Sequence, residues 1–196
     1  GIKLKSPPHS AAQSYTLTFP SAIVNNGFMK TDSSGNLSFA TAGGLRFISS
    51  TDIVDSDNAA NYTFTSFDSS SFDAYLFVLI NVVPEGDGVY LDMLTSTDGG
   101  STYDTGSTDY NWVFNSSTVN NSDSGVDGDI DADDAKISLT GNSSGTANQI
   151  GSDSVEHGVS GQIWMYTPHT SKNTQGTYDL MYQSSTPENA TQIAKG

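Results

Sequence analysis

The stretch Val82-Val83-Pro84-Glu85-Gly86-Asp87-Gly88-Val89-Tyr90-Leu91-Asp92-Met93-Leu94-Thr95-Ser96-Thr97-Asp98-Gly99-Gly100-Ser101-Thr102-Tyr103 decides the fold class. Runs of β-branched, aromatic and apolar residues are separated by turns rich in Gly and Asp. Gly supplies the positive φ that a tight turn needs, so the pattern reads as strand, turn, strand. Outward from this stretch the same pattern recurs. Strands are predicted near Leu45–Ser49, Asn61–Thr65, Ala74–Val83, Val89–Ser96, Thr108–Phe114, Lys136–Thr140, Gly161–Thr167 and Thr177–Gln183, with turn chemistry between nearly all of them. That spacing predicts an all-β chain, a jelly-roll-like antiparallel β-sandwich rather than a parallel α/β sheet.

Two of these strands carry facial information. In Thr108–Phe114, Tyr110, Trp112 and Phe114 share one face while Asn111 and Val113 share the other. In Gly161–Thr167, Ile163 and Met165 oppose Trp164 and Tyr166, so both faces are apolar. Such a strand is buried on both sides or has one face at a subunit contact.

Composition sets the remaining bounds. The 196 residues allow one domain plus an appendage, and Ser, Thr, Asn, Asp and Gly dominate over the good helix formers. There is no cysteine, which removes disulfides and thiolate metal sites. The longest apolar run, Ala74 to Val83, is about half the ~20 residues of a membrane-spanning helix and fits a buried strand; no membrane insertion is expected. The formal charge is −15 and is unevenly spread. Residues 1–46 hold Lys3, Lys5, Lys30 and Arg46 against Asp32, a net of +3, whereas residues 47–196 hold three lysines against 21 acids, a net of −18. A domain that acidic repels phosphate backbones, so nucleic acid is not an expected partner.

The first part of the chain has its own character. Adjacent Pro7 and Pro8 exclude a helix, Ser14–Pro20 alternates as a short strand, and Thr31–Phe39 reads as a turn followed by a second short strand. Strands this small cannot bury a core without neighbours, most simply the same segment of other copies. We therefore divide the chain into a connector and oligomerisation segment, 1–42, and a head, 43–196. Asn115–Asp134 and Gly141–His157 read as long loops. After Gln183 no closing strand is evident, which leaves a sheet edge that later chain or a neighbour must cover. The opening Gly1 fits a processed or excerpted chain, and the ending fits either a polypeptide that continues or a short chain that pairs its edge in an oligomer.

Several segments carry a resemblance. Ile2-Lys3-Leu4-Lys5-Ser6-Pro7-Pro8, Tyr15-Thr16-Leu17-Thr18-Phe19-Pro20 and Thr31-Asp32-Ser33-Ser34-Gly35-Asn36-Leu37-Ser38-Phe39 together resemble a repeat of marine bacteriophage tail-fibre and virion structural proteins. The order Ser96–Tyr103, then Tyr110-Asn111-Trp112, then Gly161-Gln162-Ile163-Trp164-Met165-Tyr166-Thr167-Pro168 is similar to a β-sandwich module of phage fibre and attachment proteins. The resemblance implies a virion-located homotrimer, with the N-terminal segment as an intertwined shaft or connector docked on other virion proteins. It implies a non-enzymatic role in attachment to a host-surface glycan or protein. The family's sandwich closes with an additional Gly-rich strand pair that is not visible in this sequence. The alternatives are a purely structural virion component, such as a capsid decoration or tail connector, and a secreted carbohydrate-binding module.

Candidate chemistry is sparse. Asp127, Asp129, Asp131 and Asp133 alternate through one predicted loop, and calcium takes six to eight oxygens from such loops. The EF-hand template fails, with Ala132 where Gly is needed and Ser138 where Glu is needed, and the plainer reading is a solvated acidic loop. No other cofactor is expected. His9, His157 and His169 form no metal-binding spacing, and no Gly-x-Ser-x-Gly elbow is present. Among the aromatics, Tyr103, Tyr110 and Trp112 are the expected binding residues, against the commoner fate of strand aromatics as core; Trp164, Tyr166, Tyr178 and Tyr182 are further rings able to stack on sugars if exposed.

Overall fold

Alternating burial across paired strands organises the protein. The structure, a computed structural model, describes residues 16, 18–22, 27–40, 44–54, 59–68, 70–119, 124–141, 149–152, 158–168, 173–185 and 191–195. Lys3–Pro8, the three histidines and most of Gly141–His157 lie outside the described residues. The chain divides into two compact units, Gly1–Ile48 and Ser49–Gly196. Among the described residues there is no helix, and every named sheet is antiparallel.

In the first unit, β1 (Phe28–Thr31) and β2 (Leu37–Ala40) form a hairpin. The turn between them is built on Asp32, whose carboxylate accepts from the amides of Ser34 and Asn36 and from the Asn36 side chain. Those bonds, the Asn36 side chain foremost, hold the Asp32 carboxyl below its ordinary range. Gly35 takes φ +82°, and a Cβ there would lie 2.5 Å from the carbonyl oxygen of Thr16. Thr18 bridges this turn in parallel, its carbonyl accepting from Leu37.

In the second unit, six strands form one sheet. In chain order they are β3 (Ala74–Val82), β5 (Tyr110–Val119), β6 (Ser124–Asp134), β8 (Val159–Tyr166), β9 (Gln175–Gln183) and β10 (Thr191–Lys195), and in space they run β3-β8-β9-β10-β5-β6. A small sheet pairs β4 (Asp92–Met93) with β7 (Ile137–Ser138). The predicted strands at Leu45–Ser49 and Asn61–Thr65 have no ladder partners.

Two expectations are corrected. Asn115–Asp134 is not a long loop: β5 continues to Val119 and returns as β6, paired from Val119↔Ser124 to Tyr110↔Asp134. The Ser, Asn, Asp and Gly content that suggested a loop is tolerated because the ladder, not side-chain propensity, carries an outer hairpin. The sheet also has a strand after Gln183. Residues 191–195 lie between β9 and β5, each paired on both sides, as in Ile193↔Met181 and Ile193↔Ser117. The described sheet therefore ends on β3 and β6, not on β9.

The core fills one face of the sheet. Phe114, Val159, Ile163, Leu180 and Tyr182 pack with Leu139 and Ile150. Leu91, Met93 and Ile137 close over them from the small sheet and its flanks. That cover is tied down by backbone bonds: Leu139 donates to the carbonyl of Leu91 (2.9 Å), Ile150 to that of Val89 (2.7 Å) and Gly151 to that of Gln183 (2.9 Å). Burial drives the hydroxyl pKa values of Tyr178 and Tyr182 upward. Phe64, Phe67 and Phe72 pack edge-on against Tyr75 and Phe77 of β3. β3 carries a bulge after Leu79, where Asn81 takes φ +50° and its amide donates to Ser160 Oγ at 2.8 Å.

Because β10 completes two ladders at once, its backbone donors matter more than its composition. Ile193→Pro removes one ladder donor in mid-sheet, and a destabilisation of about 3 kcal/mol or more is expected. Urea unfolding of the variant beside the parent chain measures it; an unchanged midpoint would show that this strand is not integral to the sheet.

Candidate functional site

The turn that follows β4 is a closed hydrogen-bonded unit. Ser96 Oγ accepts from the amide of Gly100 (2.9 Å) and donates to Asp98 Oδ1 (2.8 Å). Asp98 also accepts from the amides of Ser101 (3.0 Å) and Thr102 (2.8 Å) and from Thr102 Oγ1 (2.6 Å). The Thr102 hydroxyl and amide, then Ser96, lower the Asp98 carboxyl to about 2. Gly99 and Gly100 take φ +76° and +88°, and a Cβ on Gly100 would crowd Thr65 at 3.0 Å and Thr63 at 3.1 Å.

Two of the three nominated aromatics, Tyr103 and Tyr110, belong to this scaffold, and the third, Trp112, bonds β6 instead. Tyr103 is half-buried and its hydroxyl bonds Thr63 Oγ1 at 2.7 Å. Tyr110, only 6% exposed, clamps the base of the turn: its hydroxyl accepts from the Thr95 amide (2.8 Å) and donates to the Asp104 carbonyl (3.0 Å). Trp112, 8% exposed, donates Nε1–H to Asp134 Oδ2 at 2.9 Å. The alternation that placed Tyr110, Trp112 and Phe114 on one face is observed, and that face is the core side. The rings of Tyr110 and Trp112 thus have no open face on which a sugar could stack.

The acidic row is a strand rather than a loop. Register places Asp127, Asp129 and Asp131 opposite Ser116, Phe114 and Trp112, so they occupy successive positions on one side of β6. Alternate residues of a strand stand about 6.8 Å apart, too far to converge on one cation with oxygens at ~2.4 Å. Asp131 accepts instead from the Asp133 amide (3.1 Å), and Asp129 from the adjacent Ile130 amide (2.9 Å). Among the described residues no group of three or more carboxylates and histidines is arranged to hold a metal.

The opposite face of the large sheet is open. A shallow depression of about 380 Å³ lies over β3, β8 and β9, lined by Val78, Ser160, Gln162, Asp179 and Met181. Beside it on β8, Trp164 and Tyr166 lie with their rings parallel, 4° between planes and 6.3 Å between centroids. Sequence reasoning gave this pair less weight than Tyr110 and Trp112, although the doubly apolar strand was the signal that pointed here. Ile163 and Met165 are buried, Trp164 is half-buried and Tyr166 is exposed. No protein family model, curated protein or solved structure matches the chain.

Tyr110→Phe removes the three hydroxyl bonds at the base of the turn, to the Thr95 amide, Thr95 Oγ1 and the Asp104 carbonyl, and leaves the Thr95 amide without this acceptor, for a loss of about 1–3 kcal/mol. Denaturant unfolding together with faster amide exchange at Thr95 and Asp104 checks this. Asp98 supplies a pH signature. A carboxylate with a depressed pKa stabilises the folded turn above the ordinary aspartate range and loses that contribution as pH falls toward about 2. Amide protection at Ser101 and Thr102 is expected to persist through pH 4 and collapse near ~2, and to be absent at every pH in Asp98→Ala. Protection insensitive to that substitution would refute the assignment.

Proposed function

We propose that this chain is a non-enzymatic bacteriophage virion component, a fibre or particle-surface protein that contributes to host-surface attachment. The observation supporting the reading is the order of its two units: a small hairpin unit with the Thr31–Phe39 turn, followed by a strongly acidic antiparallel β unit. That order is what the resemblance to phage fibre proteins implies, with a connector preceding a jelly-roll-like head. The hairpin unit also exposes Phe19, Phe28 and Met29. A two-stranded hairpin is marginal by itself, and open apolar side chains on it favour assembly with other copies, as in an intertwined homotrimer. The basic bias of residues 1–46 favours docking on an acidic virion protein. Weak contacts of several symmetric heads with a host glycan or protein would then add through avidity.

The test is made on particles. Gold-labelled antibody or cryo-electron microscopy is expected to find the chain at a fibre, and deletion of residues 1–42 is expected to abolish its incorporation. Labelling confined to the capsid or tail junction would assign a purely structural role. Absence from particles would refute the reading.

A further inference from the structure

We infer that the open outer face of the six-stranded sheet is an interface between copies of this chain. This deepens the homo-oligomeric reading above and rests on it for the existence of symmetric partners.

The first observation is exposure. Across the strands this face presents Val78 (60% exposed), Ile80 (80%), Met181 (53%) and Ile130 (76%), with Val113, Val119 and Val126 also exposed. Register gathers all but Ile80, which lies in the β3 bulge, on one side: Val78 stands opposite Gln162, Gln162 opposite Asp179, Ser160 opposite Met181, and Val113 opposite Ile130. They share this face with uncharged polar residues, Gln162, Ser160 and Ser117 standing opposite Val78, Met181 and Val126, and a sheet face this rich in exposed apolar side chains marks an interaction site.

The second observation is charge. The chain carries 22 acids and a net charge of −15. By register, and apart from the bulged end of β6 at residues 131–134, the outer face of these strands holds two charged positions of opposite sign, Asp179 and, opposite it on β10, Lys195. The acids of β6 before that bulge, Asp127 and Asp129, occupy the other parity, opposite Ser116 and Phe114. Depletion of charge with retention of apolar and aromatic residues is the composition of an interface core.

The third observation is extent. Strand spacing of ~4.8 Å and a rise of ~3.3 Å per residue give a six-stranded face of this length roughly 700 Å². A stable protein–protein contact buries about 800 Å² on each partner. One whole sheet face is therefore about what such a contact needs.

These observations select the occupant. Two chains of charge −15 repel, and the surface on which they can approach without burying unpaired carboxylates is one that both copies leave nearly uncharged. A basic partner would gain most elsewhere on the acidic unit. A glycan would use the Trp164–Tyr166 pair and Gln162 but would leave the aliphatic residues of β3, β5 and β6 uncovered. A second copy brings an equally apolar and uncharged face, as a symmetric assembly requires.

Sedimentation equilibrium of the full chain tests this against the 20.7 kDa monomer. The parent protein is expected to sediment as an oligomer that tightens as salt rises toward about 0.5 M, because screening weakens repulsion between like-charged copies and leaves apolar contact intact. The double variant Val78→Glu, Met181→Glu is expected to be monomeric with an unchanged circular dichroism spectrum, since both positions are exposed. Val54→Glu, at an exposed apolar position outside the sheet, is expected to retain the parent mass. Cysteine introduced at Val113 is expected to cross-link between copies, which tests the face without altering its charge. A monomeric parent, an oligomer that persists in the double variant, or a monomer that binds glycan through Trp164 would each overturn the inference. The virion reading is tested on particles and stands or falls separately: a dimer in solution would keep this interface and remove only the trimer.

Discussion

The central strand is the constraint on which the second unit depends. β5 and β9 each bury alternate side chains in one core, Tyr110, Trp112 and Phe114 from one and Tyr178, Leu180 and Tyr182 from the other. They are not paired to each other; Thr191–Lys195 lies between them and completes both ladders. An unpaired backbone amide in a packed sheet costs as much as a lost hydrogen bond, so this short segment joins the β3-β8-β9 half to the β5-β6 half. Its sequence, Thr-Gln-Ile-Ala-Lys, carries no strong strand signal. Its position makes the join.

That distinction explains what was legible in the sequence. Period-two alternation reports which residues of a strand share a face, and it reported Tyr110, Trp112 and Phe114 correctly because burial acts on side chains. It does not report ladder partners. The segment 115–134, rich in Ser, Asn, Asp and Gly, therefore read as a loop although its backbone pairs throughout a hairpin. Thr191–Lys195 went unread for the same reason. The Asp98 and Asp32 turns were legible because their chemistry is local: carboxylates, hydroxyls and amides two to four residues apart satisfy one another, and Gly takes the positive φ. The role of Tyr110 was not legible, because its partners, Thr95 and Asp104, meet only when the turn closes.

The acids show how one composition serves two ends. At the edge of the sheet, β6 alternates Asp with small and apolar residues, and charge on an edge strand discourages pairing with further chains. The ion pair of Lys136 with Asp92, at 2.7 Å, joins the ends of β7 and β4 at the surface, where such a pair contributes about 0–1 kcal/mol. Other carboxylates, Asp32, Asp98 and Asp134 among them, hold turns and side chains in place through hydrogen bonds. The arrangement of the acids limits where another molecule can approach.

That limit gives the doubly apolar strand its meaning. β8 buries Ile163 and Met165 and leaves Tyr166 open with Trp164 half-covered, while β3 turns Tyr75 and Phe77 inward and leaves Val78 and Ile80 open. A strand in an isolated unit gains only strand propensity and cross-strand contacts from apolar side chains on its solvent face, and hydration of that surface is unfavourable. Local folding would permit Thr, Lys or Glu at these positions. The selection of Val, Ile, Met and Trp there is accounted for when the exposed state is not the final one, and when what covers the face is as poor in charge as the face itself.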